Sequence, residues 1–240
     1  ALNSADNSLL AKLDTDGNCV WAIGFGGDEG SGNGPNCPYP ITDADDHSYD
    51  VKVDADGFIY VTGFFSGLSA DFDNLTITNP DWGNTCEPMG YIGKLDPNGN
   101  WLWVDKFDGI KDQRGSRDNR LALDQFSNIY VVGGFRNRGN DQNAKYGPFM
   151  LTSNGEWDAF IFKMDKDGNW LWAEGIGSNK TDRANSVAVD VCNDVYILYV
   201  YISLHLLLLL QGLWCHLVVT SYHQNMHQKL QLQRSFLTIY

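Results

Sequence analysis

A chain of 240 residues with 43% hydrophobic and 13% aromatic content can bury a substantial core as one or two domains, and 25 glycines among Asp- and Asn-rich turns suit an all-β protein. A formal net charge of −13 excludes a nucleic-acid interface, which needs basic residues against phosphate. Five cysteines, odd in number, irregularly spaced and without a CxxC or a Cys/His cluster, give no support to zinc-thiolate or thioredoxin chemistry.

The chain opens at Ala1 without a basic and then apolar leader and runs straight into a patterned segment, so the N-terminus reads as a cut end. The segment AKLDTDGNCVW at 11–21 is a hairpin: an apolar strand ending in Asp14, a tight turn closing on Gly17-Asn18, then a strand carrying Trp21. A polar loop with Cys37 follows, and then YDVKVDADGFIYVTGFF at 49–65, a second hairpin of the same kind. The loop NPDWGNTCEPMG brings Trp82 and Cys86, and a disulfide between Cys37 and Cys86 and two free thiols are both compatible with their loop positions. GKLDPNGNWLW at 93–103 repeats the first hairpin and RLALDQFSNIYVVGGF at 120–135 repeats the second. FKMDKDGNWLW at 162–172 and SVAVDVCNDVYILYV at 186–200 repeat both once more.

The repeat is therefore about 70 residues long and holds four strands, expected in the second copy at 49–54, 58–65, 90–96 and 101–107. Strands such as IYVTGFF and WLWV are apolar on both faces and must be covered on both sides. Four-stranded antiparallel sheets stacked face to face in series describe a β-propeller. The expected fold is all-β, an open, partial propeller of about three four-stranded blades. Residues 1–197 form the incomplete propeller, with a half blade at 1–27, blades at 43–109 and 116–177, and the start of another at 184–197. A closed ring of seven such units needs about 490 residues, so further blades of a parent chain are expected partners.

The succession SVAVD, NIYVVGGF, FMLTSNGEWDAFIFKMD and NWLWAEGIG resembles the secreted β-propeller repeats called SBBP (seven-bladed β-propeller) repeats, over roughly residues 9–197. The Trp-bearing hairpin is more distantly similar to the tryptophan-docking unit of quinoprotein propellers, with one residue fewer in its turn. The resemblance implies the architecture and an extracellular or cell-surface setting. It implies no reaction.

After Val195 the pattern fails. All 30 acidic residues precede this point, and four of the five histidines follow it. Residues 198–240 read as an aberrant tail, apolar at first and then rich in His and Gln. Three readings compete: a membrane-spanning helix over 195–219, a divergent blade, and an out-of-frame end. A membrane partner is expected only on the first.

Candidate chemistry sits at the two ends of the strands. On the turn side, Asp14, Asp16 and Asn18, with Asp165, Asp167 and Asn169, place oxygen ligands at alternate positions, a pattern suited to calcium, although the bidentate Glu of an EF-hand loop is missing. An Asp that caps its own turn explains the same residues. On the long-loop side, Asp46, Asp182 and Arg117 lie near the start of the strand nearest the axis, where they would line a polar mouth or cap that turn. Trp82 and Trp157 are candidate stacking platforms, and Trp157-Asp158 also sits at a packing position. Trp101 with Trp103, and Trp170 with Trp172, are two apart in a strand and so are expected to face the same way, between blades. No G-x-S-x-G, HExxH, Walker or dinucleotide motif occurs, and His47 stands alone among the repeats, so no catalytic residues are assigned. The expected function is a scaffold binding a protein or a glycan through the long-loop face. The alternatives are a propeller-type enzyme (a glycan-active hydrolase or lyase, or a quinoprotein-like oxidoreductase) and a purely structural module.

Overall fold

A computed structural model describes residues 8–27, 46–80, 88–108, 119–135, 143–155, 157–201 and 218–221. In chain order the strands are β1 (Ser8–Leu13), β2 (Cys19–Gly27), β3 (His47–Val53), β4 (Ile59–Phe65), β5 (Ser69–Phe72) and β6 (Leu75–Thr78). Then come β7 (Met89–Leu95), β8 (Trp101–Phe107), β9 (Arg120–Leu123), β10 (Ile129–Phe135), β11 (Asn143–Tyr146) and β12 (Phe149–Thr152). The series closes with β13 (Asp158–Met164), β14 (Trp170–Ile176), β15 (Asp182–Val189), β16 (Val195–Tyr201) and β17 (Val218–Ser221).

The fold is all-β, an open propeller-like arc. Strands β3, β4, β7 and β8 form one antiparallel blade and β9, β10, β13 and β14 the next. Strands β1 and β2 are the outer pair of the blade before them, and β15 and β16 the inner pair of the blade after. Strands β4, β7 and β10 are buried along their whole length, as sequences apolar on both faces require. Within 195–219, for which a membrane-spanning helix is one of the three competing readings, Val195–Tyr201 is strand β16, paired antiparallel with β15, and β17 pairs with it in parallel. No helix among the described residues is long and apolar enough to cross a membrane.

Three apolar clusters hold the sheets together. Phe25, Val61, Phe72, Tyr91, Leu95 and Trp101 fill the first joint. Tyr60, Ile92, Phe107, Tyr146, Phe160 and Phe162 fill the second, and Tyr130, Val132, Ile161, Val187 and Ile197 the third. Neighbouring residues of one strand serve alternate joints, Val131 the second and Val132 the third.

The tryptophans do not share a face as alternation alone predicts. A β-bulge shifts the register where each Trp-bearing strand begins: Lys94 pairs with Trp103 but Leu95 with Trp101, so Leu102 is extra. The same shift skips Val20 in β2 and Leu171 in β14. One added residue reverses the facing of everything before it. Trp101 and Trp170 therefore pack backward, into the first and second joints, while Trp103 and Trp172 pack forward into the second and third. The forward indoles meet the tight turn of the following blade. A Cβ at Gly99 would stand 3.1 Å from the Trp21 ring and one at Gly168 3.2 Å from Trp103, and φ is near +90° at both glycines, so only glycine fits. Lysines beside these rings bridge to the same turns, Lys12 Nζ donating to Pro97 O at 3.3 Å and Lys94 Nζ to Lys166 O at 3.0 Å.

The connections between the second and third strands of a blade carry more structure than the loops expected there. Each folds into a hairpin that joins the outer edge of the preceding blade: β5–β6 on β2, and β11–β12 on β8. Phe72 stacks on Phe25 with ring centroids 5.5 Å apart, and Tyr146 on Phe107 at 5.9 Å. Blade two with its borrowed hairpin is thus a six-stranded sheet.

Tyr146 is fully buried and its hydroxyl has no hydrogen-bond partner, where the other hairpin carries Phe72. Tyr146→Phe is expected to raise stability by about 1 kcal/mol, since a buried unpaired hydroxyl is removed at constant shape. Tyr146→Ala is expected to lower it by about 3–4 kcal/mol through the cavity left in the second joint. Urea unfolding of the three proteins checks both signs.

Candidate functional site

Antiparallel pairing sorts the connections by end. The turns 14–18, 54–58, 96–100, 124–128, 165–169 and 190–194 all lie at one end of the strands, and the strand ends that open into 28–45, 109–118 and 136–142 lie at the other.

The turn end is built from one repeated device. Asp14 Oδ1 accepts from the N–H groups of Asp16 at 2.9 Å and Asn18 at 2.8 Å, while its Oδ2 accepts from Asn18 Nδ2 at 3.0 Å. Asp165 repeats this with Asp167 and Asn169, at 2.9, 2.9 and 2.8 Å. In turns that precede a tyrosine, Tyr60 and Tyr196 donate to the second oxygens of Asp54 and Asp190 at 3.1 and 3.0 Å, which explains why tyrosine recurs there. The side-chain amides of Asn18 and Asn100 hold the carboxyls of Asp14 and Asp96 below the ordinary range, and the N–H of Asp194 does so for Asp190. At Asp165 desolvation opposes the Asn169 bonds, and the bonds win.

Of the six residues with the calcium spacing, Asp14, Asn18, Asp165 and Asn169 spend their side chains within their own turns, and Asp167 takes the Lys166 ammonium at 2.8 Å. Asp16 is exposed. Among the described residues no three His, Cys, Asp or Glu side chains gather around a point.

At the opposite end, Asp46 and Asp182 are 7% and 0% exposed and serve the backbone. Asp46 Oδ2 accepts from the N–H of Gly27 and its Oδ1 from that of Ser66 at 2.9 Å, tying the last strand of one blade to the second strand of the next. Asp182 Oδ2 accepts from Ser178 N at 2.6 Å and Ser178 Oγ at 2.8 Å. Trp157 is buried, with the Arg183 guanidinium 4.8 Å from its ring centre. His47 stacks on Tyr49 with ring centres 5.9 Å apart and meets the tilted ring of Phe64 at 5.0 Å. Arg117, Trp82, Cys37 and Cys86 lie outside the described residues. Cys19 and Cys192 are free and exposed.

Asp158, read from the sequence only as part of a packing position, is the one carboxylate among those described that burial pushes up, to about 6. The N–H of Asn154 lowers it and the nearby Asp182 charge raises it further. A Cβ at Gly177 would stand 2.1 Å from Asp158 Oδ1, so this acid is sealed against backbone and does not face a cleft.

No family model matches the chain. An uncharacterized WD repeat-containing protein of Acanthamoeba polyphaga mimivirus is 32% identical over 160 residues, which is 61% of this chain. The chain spans 11% of that relative's length. WD repeats build propeller blades of four strands, so the likeness agrees with the sheets seen here.

Two measurements follow from these carboxylates and turns. In the turns the folded pKa lies below the unfolded one, so their contribution is present above about pH 4 and is lost as pH falls further. Asp158 acts in the opposite sense: its folded form holds the proton up to about 6, so stability declines as pH rises from about 4 to about 6. Asp158→Asn is expected to remove that decline in a melting series across this window. Ser127 sits at φ 60°, where four sister turns have glycine. Ser127→Gly is expected to gain about 1 kcal/mol, a rise of roughly 2–4 °C in Tm by thermal melting.

Proposed function

We propose that the chain is part of a β-propeller scaffold of the secreted SBBP type, at the cell surface or outside the cell, which holds a protein partner against the long-connection end of its blades and performs no chemical step. The observation that carries this reading is the division of the two ends. At the turn end the capping side chains are spent on their own backbone. The long connections, where rigid scaffolds carry their recognition residues, all leave from the other end.

The WD-repeat relative supports a propeller scaffold, since repeat propellers use repetition to present extended surfaces. A protein is favoured over a sugar because Trp157, an aromatic platform expected at this end, is buried beside Arg183. An extracellular setting is supported by two sequons, Asn74-Leu75-Thr76 and Asn179-Lys180-Thr181, whose asparagines are exposed.

Site-directed photo-crosslinking tests the assignment. A crosslinker at Lys180, exposed at the long-connection end, is expected to capture a protein partner. One at Asp56, exposed at the turn end, is expected to capture none. Equal capture from both positions, or capture from Asp56 alone, refutes it.

A further inference from the structure

Two buried acids face the third joint at its long-connection end. Asp158 opens β13 and Asp182 opens β15. The two strands meet there: the Asp182 N–H donates to Trp157 O at 2.7 Å, and Trp157 bridges Thr181 in parallel. Each acid pins one connection. Asp158 Oδ2 accepts from the Asn154 N–H at 2.5 Å, ahead of β13, and Asp182 Oδ2 from the Ser178 N–H at 2.6 Å, ahead of β15. Bare glycines bring these connections into contact. A Cβ at Gly155 would stand 2.4 Å from Ser178 O and 2.5 Å from Lys180 O, and one at Gly177 would meet the Asp158 carboxyl.

Asp158 departs from the pattern of the preceding blade. It pairs with Phe135 as Met89 pairs with Phe65, and Met89 is part of an apolar cluster. The sheet therefore does not need an acid at this position. Asp158 is 1% exposed, and its Oδ1 is buried without a hydrogen-bond partner. Among the described residues β10 sets Phe135 against it, the connection before β13 sets Ser153 and Asn154, and the end of β14 sets Gly177. The charge that acts on it is Asp182 of β15, while Arg183 lies on the Trp157 ring and Lys180 is exposed. Burial and then the Asp182 charge hold its proton up to about 6, against the Asn154 N–H and the Ser153 hydroxyl, which lower it. A neutral carboxyl suits such a seat, and a carboxylate does not.

We propose that Asp158 is an acid-operated latch on the third joint: while it carries its proton the connections ahead of β13 and β15 stay locked together, and when it ionises they part locally with both blades still folded. Hydrating the carboxylate requires only that Ser153–Gly155 move off 177–181, because β10 and β13 are held by their own ladder and by the second and third clusters. The latch stands on the fold alone and does not depend on a bound partner. Once open, the acid titrates near its ordinary value of about 4. The opening constant therefore climbs about tenfold per pH unit from about 4 to about 6 and levels off above, about a hundredfold in all.

Amide hydrogen exchange on the full chain, followed from pH 4 to pH 7.5 and corrected for the intrinsic pH dependence of exchange, tests this. The reporters are the Asn154, Ser178 and Asp182 N–H groups, whose acceptors are named above. Their opening constants are expected to follow the hundredfold rise and to exceed those of the β10 amides throughout. In Asp158→Asn and in Asp158→Met, which copies the Met89 position, the rise is expected to vanish. Should either variant misfold, the wild-type series decides alone. Reporter amides that open no more readily than those of β10 would show that the segment parts only with the whole fold, and would overturn the proposal. A flat wild-type profile, or a rise that survives in a folded variant, overturns it equally.

Discussion

A single extra residue at the start of each Trp-bearing strand sets the stacking of this molecule. Without the bulge at Leu102 or Leu171, both tryptophans of a strand would crowd one face and leave the other without a large side chain. With it, one indole reaches back and one forward, so the first joint receives Trp21 and Trp101 and the second Trp103 and Trp170. The second joint shows the result: Trp103 arrives from blade two beneath Gly168, and Trp170 from blade three donates through its indole N–H to Asp105 at 2.7 Å. The forward contact needs a turn whose glycine presents bare backbone, so the Asp-Gly turns and the tryptophans constrain one another.

That coupling also bears on function. The turns look like ligand sites in a sequence because they concentrate carboxylates and amides. Yet the interactions that hold each turn in shape for the neighbouring indole are those that occupy its oxygens. The turn end is thereby a structural seam, which is why recognition is proposed at the other end, where Asp46 and Asp182 anchor strand ends from within and the longer connections leave the sheets.

Much of the fold was legible from residues alone. The spacing of Asp14, Asp96 and Asp165 and of their tryptophans marks the period, and the expected strands of the second repeat fall within two residues of β3, β4, β7 and β8. The bulge was not legible, because strict alternation assumes no insertion; the clue was tryptophan standing directly after the turn in NWLW. The borrowed hairpins escaped because their strands are four residues long, carry polar Asp71 or Lys145, and sit at unequal distances from the strands around them. The recurring Ala-x-aromatic pattern was the available signal. Asp46 and Asp182 stand at the same spacing from the Asp that ends their strand, but a sequence does not say whether a carboxylate turns toward solvent or toward backbone N–H groups. The raised proton affinity of Asp158 depends on burial against Gly177, a contact between residues on different strands that no local motif announces.

Because each hairpin is encoded in one repeat and completes the sheet before it, the unit copied by gene duplication is offset from the unit that folds. A newly inserted copy would arrive carrying a clip for its predecessor and would need one from its successor, so lineages could lengthen the array without redesigning any seam. Deleting an internal copy is as mild, because the clip of the next copy takes the vacated place on the upstream sheet; only loss of the last copy leaves its predecessor without one.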